Sequence, residues 1–454
     1  MNDNDFNADG LKMDYTEESK SSLTIQIDEK PKANQWIFLS FQHVFAMFGA
    51  TILVPILTGL SVSVALFASG LGTLIYSACT KFKVPVYLGS SFAYITAVQI
   101  AVKAMGGSYD AAQTGLILVG LTYVVIALII KVIGKGWVDK LLPPIVIGPM
   151  IMVIGLGLAG SAVTNAGFVA NGNPLGMIVA ILTFVIAAMI STHAKGFMKI
   201  VPFLIAIFCG FALAIILSEI PGLHQALGCK PILTFDQMHK ALSNASFFSV
   251  PDFILPFKFA GFGTYNLYFG PETWAILPVV IVTVSEHIGD HTVLGKICGK
   301  NFLKDPGLDR TLTGDGIATA VSALIGGPAN TTYGENTGVI GMTKVGSVYV
   351  TCGAAVIAIL LSFFGGVQAF INLIPTYVLG GMSILLYGVI ASNGLRVLIE
   401  NHVDFSKQRN LIVASAMLVI GLGGAILPIG DILSLSGTAL AAIVGVVLNL
   451  VLPE

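Results

Sequence analysis

The chain has 454 residues, of which 55% are hydrophobic and 10% charged. Soluble domains carry about 25% charged residues, so the composition excludes a water-soluble enzyme or binding module and requires a multi-spanning membrane protein. A formal net charge of −1 gives nucleic acid nothing to bind, and the five scattered cysteines form no CxxC pair, disulfide framework or metal-ligand spacing.

Residues 1–30 are polar and mostly acidic, without the apolar stretch of a signal peptide. They are expected as a disordered cytoplasmic tail, with a short amphipathic piece at 23–27 and modifiable hydroxyls at Ser21, Ser22 and Thr24. Apolar stretches follow at 36–57, 62–80, 87–102, 114–133, 141–160, 175–191, 200–217, 274–294, 312–325, 332–342, 348–367, 374–391, 411–427 and 433–451. About fourteen spans are therefore expected, since about 20 apolar residues cross the hydrocarbon core. The short third and tenth stretches occupy the same place in two runs of seven.

Lys and Arg in short loops set the orientation. With the N-terminus inside, Lys81, Lys83, Lys131, Lys135, Lys140, Lys195, Lys199, Lys296, Lys300, Lys304, Arg310, Lys344, Arg396, Lys407 and Arg409 fall on the cytoplasmic side, whereas 161–174 has neither residue type. Lys103 and the long 219–270 loop are exceptions, and long loops count little. Both termini are expected in the cytoplasm. A run of seven is odd, so a duplicated copy enters the membrane upside down. Weak internal likenesses support this. FQHV at 41–44 matches SEHI at 285–288, PPIVIGPM at 143–150 matches PTYVLGGM at 375–382, and PVYLGSSF at 85–92 stands where PANTTYGE stands at 328–335. An inverted repeat places substrate near the midplane, where paired broken helices meet.

The stretch 326–343, GGPANTTYGENTGVIGMT, violates the pattern of a spanning helix. Irregular backbone at membrane depth persists only where protein buries it or where it lines a cavity. Glu335 opens the half-helix there, and an ionisable residue at that depth marks function. Glu286 and Asp290 lie four residues apart, on one face of the eighth span, with His287 turned away by about 100°. Carboxylates accept hydrogen bonds only, so Glu286 and Glu335 suit the N–H groups of a neutral ligand. Backbone N–H groups near Phe92 and Gly334 suit its carbonyls, and Phe92 and Tyr333 can pack on a flat ring. The alternative is that the carboxylates only pin helices together, but no Lys or Arg lies in the apolar part of either span. Asp290 is the candidate proton or cation site, the alternative being a cap at the cytoplasmic helix end. His43, beside Gln42, is either a titrating partner or a helix–helix clip. Tyr387 faces the site or packs in the core, His291 sits near a helix end, and Asp315, in TGDG, reads as a helix-start cap.

These residues resemble the nucleobase–ascorbate transporters (nucleobase:cation symporters), most closely the bacterial uracil permeases. LGSSFAY at 88–94, SEHIGD at 285–290, GPANTTYGENTGVIGMT at 327–343 and the Gln42–His43 pair carry the resemblance, which covers the chain from about residue 31 onward. Glu335, Asn336, Gly338 and Thr343 fit the family signature, in which purine-type members generally have Gln at the position of Glu335. The resemblance implies an all-α polytopic membrane protein of fourteen segments in a 7+7 inverted repeat, with short strands in the discontinuous third and tenth. It implies a core domain (31–136 and 271–367) and a gate domain (137–270 and 368–454), and admits a homodimer through the gate. It also implies proton-coupled import of uracil across the cell membrane by alternating access, with substrate at Glu286, Glu335, Phe92, Gly334, Tyr333 and Tyr387. Asp290, Glu286 and His43 would carry the proton, and no cofactor or metal is called for. Asp290 departs from some uracil-transporting relatives, which have His there, so the coupling residue stays open. Xanthine or uric acid is the alternative cargo. An enzyme is not expected, because no HExxH, GxSxG or clustered His/Cys pattern appears.

Overall fold

The computed structural model describes residues 23–134, 136–199, 201–429 and 433–453. Most of the expected tail, with Ser21 and Ser22, lies outside the described residues. The protein is mostly helical. Seven helices among the described residues are long and apolar enough to cross a membrane: Ala33–Thr58, Val62–Cys79, Asp110–Ile133, Pro144–Asn165, Pro174–His193, Pro202–Glu219 and Thr376–Glu400. Shorter apolar helices include Val348–Ser362, Gln408–Leu422 and Gly437–Val451. Helices dominate because each satisfies its own backbone N–H and C=O groups, which lipid cannot do.

Small residues set how closely the helices approach. Asp110–Ile133 and Leu308–Leu324 meet at Gly120 and Gly316, where a Cβ on either would fall 2.4 or 2.6 Å from the other's carbonyl oxygen. Pro144–Gly157 and Thr376–Glu400 meet in the same way at Gly148 and Gly394, at 3.0 and 2.5 Å. Val62–Cys79 packs on Val348–Ser362 and on Leu308–Leu324, and Ala33–Thr58 packs on Val348–Ser362. Elsewhere Thr376–Glu400 packs on Pro174–His193, which packs on Pro202–Glu219, while Gln408–Leu422 packs on Gly437–Val451 and on Pro144–Gly157.

Two interruptions meet within this bundle. Strands Leu88–Ser90 and Asn330–Thr332 pair antiparallel, with Leu88 opposite Thr332, Gly89 opposite Thr331 and Ser90 opposite Asn330. Backbone bonds from Ser91 to the Ala329 carbonyl and from Tyr333 to the Tyr87 carbonyl extend the ladder at both ends. Side chains satisfy the remaining irregular backbone. The Thr73 hydroxyl accepts from the Leu88 N–H, and the Asn330 amide donates to the carbonyls of Ala68 and Ala318. Each strand leads into a short helix, Phe92–Tyr94 continuing as Ile95–Ala104 on one side and Gly334–Thr343 on the other.

Several boundaries differ from expectation. The apolar run 348–367 is not one helix. It ends at Ser362 and resumes as Gly365–Leu373, because the 246–249 loop crosses there and bonds to its backbone. A Cβ on Gly365 would lie 2.1 Å from the Ser246 carbonyl oxygen. The eighth run is helical over Val280–Cys298, beginning after Pro278 rather than at Trp274. Further two-stranded pairs occur at Ile254–Leu255 with Gly263–Thr264 and at Ile426–Ile429 with Leu433–Ser436, outside the two broken spans. The last eight residues assigned to the tail are ordered. Ile25 bridges Val345, the Ile25 and Ile27 carbonyls accept from Gly346 and Val348, and Leu23 and Ile27 are buried.

Candidate functional site

Helix Val280–Cys298 places Glu286 and Asp290 one turn apart, both half-buried. Glu286 Oε2 is buried without a hydrogen-bond partner. Asp290 Oδ2 accepts from the Thr332 hydroxyl at 2.6 Å, which ties this helix to the strand pair. Asp290 therefore stands beside the broken span rather than capping a helix end. Glu335 is in the first turn of Gly334–Thr343, a helix start without a side-chain cap. The carboxylates of Asp290, Asp315 and Glu335 all lie within electrostatic range of Glu286. Among the described residues the ion pairs are Lys83–Asp305, at the surface, and His287–Asp315. No Lys or Arg thus neutralises Glu286, Asp290 or Glu335.

Glu335 opens onto a cavity of about 210 Å³, bounded by Gly338 and Met342 of its own helix, by Phe45 and Gly49, and by Phe203 from the Pro202–Glu219 helix. The half-buried Phe92 ring meets the Tyr387 ring edge-on, with centroids 6.2 Å apart. That contact joins the Phe92–Tyr94 turn to the Thr376–Glu400 helix. Tyr333 is buried, and its ring lies against Gly89, where an added Cβ would come within 2.3 Å of it. Its hydroxyl donates to the Ser90 carbonyl at 3.0 Å and accepts from Thr51 at 3.2 Å. Gly334 is exposed where its helix begins, and a Cβ there would meet nothing within 4 Å. His43 is buried against Asn336, whose amide approaches the His43 carbonyl at 3.0 Å and Nδ1 at 3.1 Å. Ser91 Oγ, Thr331 Oγ1, Gln42 Oε1 and Asn336 Oδ1 are also buried without partners. The first helix N–H groups have no intrahelical acceptor, so each strand of the pair runs into an uncapped helix start, and Val280–Cys298 packs on the second of these with Glu286 in electrostatic range of Glu335.

A second polar cluster was not apparent from the sequence. Asp315 does not cap a helix start. It lies seven residues inside Leu308–Leu324, and its Oδ2 sits 2.9 Å from His287 Nδ1. His291 is buried on the same face, bonded to the His287 carbonyl and to the Tyr76 hydroxyl. The available signal was the i, i+4 spacing of His287 and His291, which aligns two imidazoles on one helix face.

Comparison with known proteins agrees with this architecture. The Xan_ur_permease model, described as a permease family, matches residues 34–430. The chain is 50% identical to a uracil permease of Bacillus caldolyticus over 438 residues, covering 94% of both proteins. It is 45% identical to the uracil permease of Bacillus subtilis (strain 168), covering 96% of this chain and 97% of that protein. It is 40% identical to that of Escherichia coli (strain K12), covering 94% and 93%. Among solved structures, the transmembrane domain of the cyanobacterial bicarbonate transporter BicA superposes with a TM-score of 0.60 at 15% identity, covering 94% of this chain and 99% of that one. SLC26A9 superposes with a TM-score of 0.64 at 11% identity, covering 92% and 66%. At these identities the two structures show a shared fold alone. The protein is thus a multi-pass membrane permease rather than an enzyme, and the chain belongs to the Xan_ur_permease family.

Proposed function

We propose that the protein imports uracil together with a proton across the cell membrane by alternating access. The observation that carries this is the packing of Val280–Cys298 on Gly334–Thr343, which brings the unpartnered Glu286 into electrostatic range of Glu335 at the uncapped helix start that follows the strand pair. Uracil is flat and neutral, and its N–H and C=O groups alternate around the ring. Its N–H groups donate to Glu286 and Glu335, where bonds to a charged group are worth about 1.5–3 kcal/mol each. Its carbonyls accept from the backbone near Phe92 and Gly334. Phe92 covers one ring face, Tyr333 braces the strands, and Tyr387 closes the site from the opposite helix group. The relatives named as uracil permeases support this cargo. Asp290 holds the proton, with Thr332 keeping it beside the site and His43 fixing the first span against Asn336.

The packing supports fourteen segments in an inverted 7+7 repeat. The second segment packs on the eleventh as the ninth packs on the fourth, and the sixth packs on the seventh as the thirteenth packs on the fourteenth. On this proposal the first group is the core and the second the gate, both termini are cytoplasmic, and the core moves against the gate at the Phe92–Tyr387 contact. The test is uptake of labelled uracil into proteoliposomes with and without an inward proton gradient, with xanthine as competitor. Gradient-driven accumulation that excess xanthine leaves intact is expected. Uptake indifferent to the gradient removes proton symport, and displacement by xanthine moves the cargo to purines.

A further inference from the structure

His287 and Asp315 both have 0% side-chain exposure, yet each keeps one polar atom without a partner, His287 Nε2 and Asp315 Oδ1. Buried polar groups are nearly always satisfied, and a pair that served only to clip two helices together has no need of free valences on both members. The surroundings restrict the charge the pair can hold. Tyr76 from Val62–Cys79, Tyr94, and Tyr123 from Asp110–Ile133 lie within electrostatic range of Asp315, and Cys79 lies against the neighbouring Gly314. Glu286 and Asp290 face it from the helix of His287. These are phenols, a thiol and acids, so only imidazole can balance the carboxylate. His291 is occupied otherwise. Its Nδ1 lies 2.7 Å from the His287 carbonyl, which can only accept, so Nδ1 carries the hydrogen and Nε2 accepts from Tyr76. A second cation there would also stack on His287, because the ring centroids are 4.0 Å apart.

We propose that His287 and Asp315 together form a second protonation site of the transport cycle, separate from Asp290, which takes up one proton and passes from singly negative to neutral. This rests on the uracil–proton symport proposed above. Unloaded, a carboxylate accepts the Nδ1–H of a neutral imidazole. The incoming proton adds at Nε2 or at Oδ1, the two free atoms, and the Nδ1···Oδ2 bond never breaks. Loaded, the pair holds two protons, as imidazolium with carboxylate or as imidazole with carboxylic acid. Glu286 adjoins His287 in the chain and lies within electrostatic range of Asp315. Neutralising the pair removes a like charge from beside Glu286 and so favours the ionised carboxylate that accepts from uracil. Proton and uracil therefore favour each other's binding, and reciprocally so.

Asp315→Asn keeps an acceptor for the His287 Nδ1–H and removes the carboxylate, whereas His287→Gln keeps a donor to Asp315 and leaves the carboxylate to titrate alone. Uracil binding to purified protein across a pH series, and gradient-driven accumulation in proteoliposomes, read the two consequences. A proton moved with each uracil supports about tenfold accumulation per unit of pH gradient. In Asp315→Asn, binding that varies less steeply with pH, retained exchange of internal for external uracil, and accumulation lower by about tenfold per unit of pH gradient are expected, with Asp290 still titrating; His287→Gln shifts the pH dependence of binding. Wild-type pH dependence in both variants overturns the assignment. So does a proportional fall in exchange and accumulation with lowered thermal stability and unchanged pH dependence, which is the signature of a helix clip. Wild-type protein that binds uracil with a pH dependence that Asp315→Asn weakens, yet never accumulates it, upholds the pair and refutes symport instead.

Discussion

Replacing Glu335 by Gln isolates the charge that the account assigns to the ligand. Glu335 is half-buried in the first turn of Gly334–Thr343, faces the cavity and has no Lys or Arg partner. Folding changes little. The loss of a favourable charge at a helix start, about 0.3–1 kcal/mol, is offset by no longer burying a carboxylate. Binding changes more. A hydrogen bond to a charged acceptor is worth about 1.5–3 kcal/mol and one to a neutral acceptor about 0.5–1.5. Each ligand N–H that Glu335 accepts then loses roughly 1–1.5 kcal/mol, which is about five- to tenfold in Kd. Equilibrium binding of labelled uracil to purified protein, run beside thermal unfolding, measures both. Weaker binding by about fivefold or more at an unchanged melting temperature is expected. An unchanged Kd removes Glu335 from the site, and a collapse of Tm in step with binding makes its role structural.

Asp290→Asn retains an oxygen to accept from Thr332, so uracil binding persists while gradient-driven accumulation falls by about tenfold per unit of pH gradient; untouched accumulation in proteoliposomes places the proton elsewhere. Gly120→Val forces a branched side chain onto the Gly316 carbonyl, 2.4 Å from where its Cβ must sit, and costs about 1–3 kcal/mol, read as a lowered melting temperature. Leu23→Asp puts a carboxylate into a buried apolar contact and forfeits about 2 kcal/mol of burial. The Gly346 and Val348 amides, which donate to Ile25 and Ile27, then exchange hydrogen faster; unaltered exchange shows that the segment docks without Leu23.

Much of the site was legible because the bilayer makes polar residues conspicuous. Glu286, Asp290 and Glu335 stand out inside apolar runs, and Gly-Gly-Pro at 326–328 announces backbone that cannot be helical. Asp315 was misread for a local reason. Flanking glycines suggested a helix start, yet Gly316 serves the close approach to Gly120 and Gly314 the approach to Tyr76. The docked N-terminal segment was hidden by its polar neighbours. Leu23, Ile25 and Ile27 alternate as in a strand, and their acceptor is the turn after Gly334–Thr343, more than three hundred residues away. The helix break near Phe363 had one local signal, the Gly365–Gly366 pair inside an otherwise apolar run, while the crossing loop at 246–249 that bonds to it is remote in sequence. Side chains that meet only through tertiary contact, such as Phe92 with Tyr387 or His287 with Asp315, lie beyond any reading of spacing along one helix.

The claim at the centre is that carboxylates are kept inside the membrane to receive the N–H groups of a neutral ring. Competition of labelled uracil binding by 1-methyluracil and by 3-methyluracil, each lacking one ring N–H, tests it directly. Both should displace uracil about tenfold or more less effectively than uracil itself, as expected when a buried charged acceptor loses its donor. If both displace it as well as uracil does, Glu286 and Glu335 do not read the ring N–H groups and the account is wrong.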